Sequence, residues 1–206
     1  MHDFEAWDRY WNDQIDHDFG PPIFDLFCDD RLLVDVIHKN GMKTVLCVGS
    51  GISQEPRALA QAGLRVTALD FSPVALQLAQ EFKFDSKALE FFIEEQQRQP
   101  EGRVDFIVGD LRDTKICPGP FDVIIERRTL QLFPEGERNV ALAALTDRLT
   151  SEGIFLSHCH DNRWKPPGKP FHATEAWFRT NGWTIWRGES KPKPNGRIAW
   201  IFVSTG

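Results

Sequence analysis

Val45-Leu46-Cys47-Val48-Gly49-Ser50-Gly51-Ile52-Ser53 runs from a strand into a tight turn that precedes a helix-period segment. Glycine has no Cβ, so the backbone N–H groups of such a turn can approach a ligand at close range. Strand-to-helix turns also use glycine for purely steric reasons. Gly49, Ser50 and Gly51 alone therefore leave a nucleotide site and a plain change of direction equally open.

The flanking sequence repeats the same alternation. Strand-type apolar runs at Thr44 to Val48, Arg65 to Leu69, Val104 to Val108, Phe121 to Ile125 and Gly153 to His158 are separated by helical stretches at Glu55 to Ala62, Pro73 to Phe82 and Glu137 to Leu149. This pattern predicts an α/β, doubly wound, mostly parallel sheet with helices on both faces. Ser72 followed by Pro73 reads as an N-cap and first-turn pair, and Gly63 as the left-handed end of the first helix. Phe84 to Gln99 reads as an amphipathic helix between the second and third strands. Beyond the fifth strand come a proline-rich loop, Asp161 to Pro170, a helix at Thr174 to Thr180, and two last strands, Trp183 to Arg187 and Arg197 to Val203. Pro192-Lys193-Pro194-Asn195-Gly196 between them predicts a C-terminal antiparallel hairpin, giving seven strands in all. Residues 1 to 40, with Trp7, Tyr10, Trp11, Ile15, Phe19 and Phe24 and then Leu32, Leu33, Val36 and Ile37, read as a helical cap on a core of residues 41 to 206.

Bulk properties narrow the function. A chain of 206 residues that is 41% apolar has the material for one domain, residues 1 to 206. A formal charge of -6 and a pI near 5.5 provide no cationic surface for a polyanion, so no nucleic acid partner is expected. No apolar run approaches the roughly 20 residues that cross a bilayer, and His2, Asp3, Glu5 and Asp8 are unlike the basic start of a secretory signal. Cys28, Cys47, Cys117 and Cys159 lack paired ligand spacing. A cytoplasmic protein without disulfides, membrane contact or metal follows as the expectation, with monomer and homodimer both open.

The second strand adds the informative residue. Leu69-Asp70-Phe71-Ser72 ends it with a carboxylate about 20 residues past the glycine turn, the separation at which an acid accepts hydrogen bonds from both hydroxyls of a ribose. Asp70 is the leading single-residue candidate on this ground, with a helix cap or a solvated acid at a strand end as the lesser alternative.

Five features together resemble the class I, seven-strand, S-adenosylmethionine-dependent methyltransferases. They are the Val45 to Gly51 turn, Val66-Thr67-Ala68-Leu69-Asp70-Phe71-Ser72-Pro73, Gly109-Asp110-Leu111, Phe121-Asp122-Val123-Ile124-Ile125-Glu126 and the closing hairpin. The resemblance implies S-adenosyl-L-methionine lying across the carboxyl ends of the first four strands. Gly49, Ser50 and Gly51 would pass beneath its methionine and ribose, Asp70 would hold the ribose, Phe71 would flank the adenine, and Asp110 and Leu111 would meet the adenine edge. Glu126 and Arg127 would sit at the methionine end. Two positions depart from the family pattern: Cys47 stands where an acid is common and Ser53 where a third glycine is, leaving Glu126 or Glu55 to supply the missing carboxylate. Trp7-Asp8-Arg9-Tyr10-Trp11 is similar to the opening helix of the thiopurine methyltransferase-like small-molecule enzymes, whose aromatics close over the cofactor. A helix docking an aromatic face on the core fits the same residues.

Methyl transfer from a sulfonium draws its activation from the cofactor, so the protein supplies alignment, desolvation and in some cases a base. Glu126 after the fourth strand, and His158 and His160 on one side of the fifth, are the candidate catalytic residues; packed or solvated histidines are the competing reading. Trp7, Trp11, Arg128 and Trp164 are candidates for the walls of a small-molecule acceptor pocket, and one of the adjacent pair Arg127 and Arg128 reads as a surface charge. Methyl transfer to a small molecule leads. A non-catalytic cofactor-binding or regulatory protein of the same fold stands beside it, on the strength of Cys47 and Ser53. A nicotinamide-dependent oxidoreductase is third, disfavoured because no later glycine completes the dinucleotide fingerprint and there is little room for a substrate domain.

Overall fold

The computed structural model describes residues 4–16, 37, 39–81, 102–160, 170–186 and 197–203. Within them the chain forms α1 (Phe4–Asp16), β1 (Thr44–Val48), α2 (Glu55–Gln61), β2 (Arg65–Asp70), α3 (Pro73–Glu81), β3 (Arg103–Val108) and β4 (Phe121–Arg127). A short 3₁₀ turn (Leu130–Leu132) follows, then α4 (Glu135–Thr146), β5 (Leu149–His160), α5 (Pro170–Thr180), β6 (Thr184–Trp186) and β7 (Arg197–Val203). The expected helix at Phe84 to Gln99, the loop carrying Trp164, the turn at Pro192 to Gly196 and the apolar stretch Leu32 to Val36 lie outside the described residues.

The strands join one sheet in the order β3-β2-β1-β4-β5-β7-β6. β1 pairs in parallel with β2 and β4, β2 with β3, and β4 with β5, while β7 runs antiparallel to β5 and β6 antiparallel to β7. From β1 the chain moves outward to β3 and then returns to β4 on the other side. The order reverses between β1 and β4, and a crevice opens at the carboxyl ends of the strands at such a switch point.

Two-sided burial explains the apolar runs. Val45, Cys47, Val66, Val123, Ile125, Ile154 and Leu156 pack on one face of the sheet against Ile37, Leu59 and Ala62. Leu46, Val48, Leu69, Ile124 and Phe155 pack on the other, against Leu142, Leu145 and Phe178. Each fully buried aliphatic side chain contributes roughly 1.5–3 kcal/mol, so a strand covered on both faces reads as continuous apolar sequence. α/β architecture with a parallel sheet and helices on both faces is thus as the sequence implied.

Several boundaries move. β5 begins at Leu149, the last residue of the expected helix, because Leu149 pairs with Phe121 before the register shifts to Val123 with Ile154. α4 starts two residues early, at Glu135 directly after Pro134, whose fixed φ suits a helix start. Ser72 caps α3 as expected: its Oγ accepts from the Ala75 amide at 3.1 Å. Gly63, at φ 86°, follows the end of α2. The amino ends of β1 and β4 are pinned by Asp122, whose Oδ2 accepts from the Lys43 amide (2.8 Å), the Thr44 amide (2.9 Å) and the Thr44 hydroxyl (2.9 Å). Burial raises the Asp122 carboxyl, and these donors outweigh it, leaving the group below its ordinary value. No helix among the described residues is long and apolar enough to cross a membrane.

Candidate active site

The crevice at the switch point is lined from four strand ends. Gly49 comes from β1, Leu69, Asp70 and Phe71 from β2, Gly109, Asp110 and Leu111 from β3, and Thr129, Leu132 and Phe133 from the segment after β4. Trp7 of α1 closes one side and Arg112 another. The cleft spans about 490 Å³ when space open to solvent is counted.

The glycine turn is built by sterics. Gly49 and Gly51 have φ of 58° and 51°, a region L side chains rarely enter. A Cβ on Gly49 would fall inside the Thr129 side chain, and one on Gly51 would lie 3.0 Å from the Trp11 ring. The resulting backbone path points the Gly51 amide at Asp70, whose Oδ2 accepts from it at 2.8 Å. Asp70 Oδ1 accepts from the Ser72 amide at 2.9 Å. Both oxygens are therefore fixed on the cleft floor, with only 7% of the residue exposed. Burial raises the Asp70 carboxyl above its ordinary value, the backbone donors counter in part, and Asp8 nearby adds to the rise.

The wall after β3 is an ionic network. Asp110 accepts from Arg112 at the backbone amide (2.8 Å), at Nε (3.0 Å) and at Nη2 (2.6 Å). Arg112 Nη1 donates to Glu137 of α4 at 2.8 Å, and the guanidinium lies 5.5 Å from the centre of the Phe133 ring. Opposite, Trp7 meets Phe71 edge-on at 6.4 Å and Trp11 at 6.5 Å, and Asp8 accepts a short hydrogen bond from the Ser72 hydroxyl. α1 is thereby held over the ends of β1 and β2.

At the end of β4, Glu126 is fully buried. Its carboxylate accepts from the Thr129 and Leu130 amides, both at 3.1 Å, and from the Ser157 hydroxyl in a short bond, so it organises the turn beneath the cleft. Arg127 forks onto Glu55 at the start of α2, with Nε 2.8 Å and Nη2 2.7 Å from Oε1. Burial drives the Cys47 thiol well up, Glu55 adds to this and Arg127 opposes it, so all three groups share one neighbourhood. Arg128 is exposed, has φ of 62°, and donates its amide to the His158 carbonyl at 2.8 Å. His158 is buried on β5, and alternation places it on the sheet face of Leu156. His160 is described only as a strand position, paired with Arg197, and Trp164 lies outside the described residues.

Trp7, Gly49, Asp70, Phe71, Asp110 and Leu111 therefore line one cleft, whereas Ser50, Gly51, Trp11, Glu126, Arg127, Arg128 and His158 do not line it. Sequence reasoning passed over Arg112, Thr129, Leu132 and Phe133. Two signals were present: a cation two residues after Asp110, and an apolar pair in a segment too short to be a strand. Among the described residues no group of His, Cys, Asp and Glu side chains could hold a metal ion.

Comparison with known proteins points the same way. The family model for thiopurine S-methyltransferase matches residues 2–191. No curated protein matches the sequence. Among solved structures, magnesium protoporphyrin IX methyltransferase from Synechocystis PCC 6803 with bound S-adenosylmethionine is 20% identical, covers 100% of this chain and 98% of its own, and superposes with a TM-score of 0.65. The same enzyme with bound S-adenosylhomocysteine is 17% identical over 85% of this chain and 83% of its own, TM-score 0.61. A TehB-like S-adenosylmethionine-dependent methyltransferase from Corynebacterium glutamicum is 19% identical over 98% of each chain, TM-score 0.59. At these identities the likeness is one of fold.

Proposed function

The chain belongs to the thiopurine S-methyltransferase family, and from that premise we propose how its residues divide the work of methyl transfer. It is an S-adenosylmethionine-dependent methyltransferase acting on small molecules. When bound, the cofactor supplies the activated methyl group and the leaving thioether. The observation that carries the assignment of residues is Asp70: a carboxylate with both oxygens oriented by backbone amides, on the floor of a cleft at the switch point, beside a turn in which Gly49 leaves no room for a Cβ.

The residues present fit the group. Asp70 accepts from the ribose hydroxyls, and Gly49, Ser50 and Gly51 allow close backbone approach. Phe71 and Trp7 cover the base, and Asp110 and Leu111 meet its edge. Arg127, held by Glu55, sits at the methionine end, where its cation suits the methionine carboxylate, and Glu55 is the acid in the neighbourhood of Cys47. Glu126 positions the turn carrying Thr129, which packs against Gly49. Trp11, Arg128 and Trp164 border the acceptor side. His158 and His160 are the candidate bases for an acceptor that must lose a proton. The chain's own contribution is alignment and exclusion of water, the two terms in-line displacement needs most.

The same reading makes residues 1–206 one domain with residues 1–40 as its cap, closes β6 and β7 as a hairpin through Pro192 to Gly196, and expects a cytoplasmic monomer or homodimer that ignores nucleic acid. The test is turnover: the protein is incubated with methyl-labelled S-adenosylmethionine and a panel of thiols, phenols and amines, and S-adenosylhomocysteine release is followed. Transfer to at least one acceptor is expected, with kcat/KM lowered about 10- to 100-fold in Asp70→Ala. Cofactor binding without transfer to any acceptor would turn the reading toward a binding protein.

A further inference from the structure

Arg112 is tied to more of the cleft wall than any one contact requires. Its Nε and Nη2 form a fork on the Asp110 carboxylate, with Nε 3.0 and 3.1 Å from the two oxygens and Nη2 2.6 Å from Oδ2. Its backbone amide donates to Asp110 Oδ1 at 2.8 Å, which closes a turn over residues 110 to 112. Nη1 donates to Glu137 Oε2 at 2.8 Å, anchoring the guanidinium to α4, and its plane lies over Phe133. Asp110, Arg112 and Phe133 line the same cleft. Hydrogen bonding to Asp110 leads the effects that raise the arginine above its ordinary value, so the guanidinium keeps its charge.

An isolated ion pair with both side chains about 30% exposed contributes little to stability. What a planar, four-point attachment supplies is orientation: a carboxylate held by a fork cannot rotate about its terminal torsion as a solvated one does. We propose that Arg112 is a positioning residue for base selection. It holds the Asp110 carboxylate at the angle that accepts the exocyclic N–H of a 6-amino purine, and it borrows rigidity from α4 through Glu137. The proposal rests on the reading of Asp110 as the residue that meets the adenine edge.

Selectivity follows from hydrogen-bond polarity. A fixed carboxylate accepts from an amine, and it faces a lone pair when a carbonyl replaces that amine, leaving two acceptors opposed. A carboxylate free to turn away would escape the clash and lose the discrimination.

The experiment is a calorimetric comparison of S-adenosylhomocysteine with its 6-oxo counterpart, S-inosylhomocysteine, on the parent protein, Arg112→Met, Arg112→Lys and Asp110→Ala, with thermal melting run alongside. The parent is expected to prefer the amino form by about 10- to 100-fold. Arg112→Met should lose most of that preference, through weaker binding of the amino form together with relief of the clash for the 6-oxo form. Arg112→Lys, a point charge without the fork, should fall between. If Arg112→Met does not fold, Arg112→Lys alone decides, because retention of the full preference overturns the proposal. An equal loss for both ligands also overturns it, since that is the result of general disruption. Asp110→Ala separates the two levels. If it keeps the parent's preference, the reading of Asp110 as the base contact fails. If it loses the preference while both Arg112 variants keep it, only the role of Arg112 fails.

Discussion

The tightest constraints in the molecule act on single residues. Gly49 combines a left-handed φ of 58° with a position where any Cβ would occupy the space of the Thr129 side chain. Gly49→Ala is expected to cost on the order of 2 kcal/mol or more in unfolding free energy, from strain and overpacking together, and to weaken S-adenosylhomocysteine binding at least tenfold; denaturant unfolding and calorimetry read the two effects. Asp70 makes a prediction about pH. Its carboxyl is raised by burial, so the folded chain binds more protons than the unfolded one between the ordinary aspartate value and the raised one. Across that window its contribution to stability falls as pH rises. Ribose hydroxyls donate to the ionised form, so cofactor affinity should move the other way, strengthening as pH climbs through the raised pKa and then levelling off. Asp70→Asn should flatten that dependence. An affinity of the parent protein that is constant across the acidic range would show that Asp70 does not meet the ribose.

At the scale of elements, two attachments set the geometry of the cleft. At the far end of the sheet, Asp122 ties the start of β4 to the start of β1 through three donors on one oxygen. Its pKa is depressed, so its stabilisation is complete above the unfolded-state value and is lost as pH falls through the folded-state value. Asp122→Asn should therefore cost about 2 kcal/mol near neutrality, with the difference from the parent closing at acid pH in chemical denaturation. At the ligand end, α1 rests on Phe71, Gly51 and Ser72 through Trp7, Trp11 and Asp8. Trp7→Ala removes a ring that lines the cleft, and the expected result is about a tenfold loss of cofactor affinity. Unchanged affinity would make α1 a packing element only.

Across the whole molecule, what could be read from sequence was what periodicity and spacing encode. Leu46 and Val48 on one face and Val45 and Cys47 on the other made β1 a continuous apolar run, and the separation of Gly51 from Asp70 marked two residues that a hydrogen bond joins in the fold. What could not be read was contact across chain segments. Nothing local signalled that Glu126 accepts from Ser157 on the neighbouring strand, that Arg127 forks onto Glu55 some seventy residues earlier, or that Arg112 bridges to α4. β5 starts early for the same reason: the pairing of Leu149 with Phe121 is a property of the sheet, and helix periodicity in the residues before it was a weaker force.

Central to all of this is the proposal that Asp70 and the glycine turn assemble the cofactor site. Its most direct test is calorimetric titration of the parent protein and Asp70→Ala with S-adenosylhomocysteine. Binding with a Kd on the order of micromolar, weakened about 10- to 100-fold by the substitution, is the expected result. No binding to the parent, or equal binding to both proteins, would contradict it.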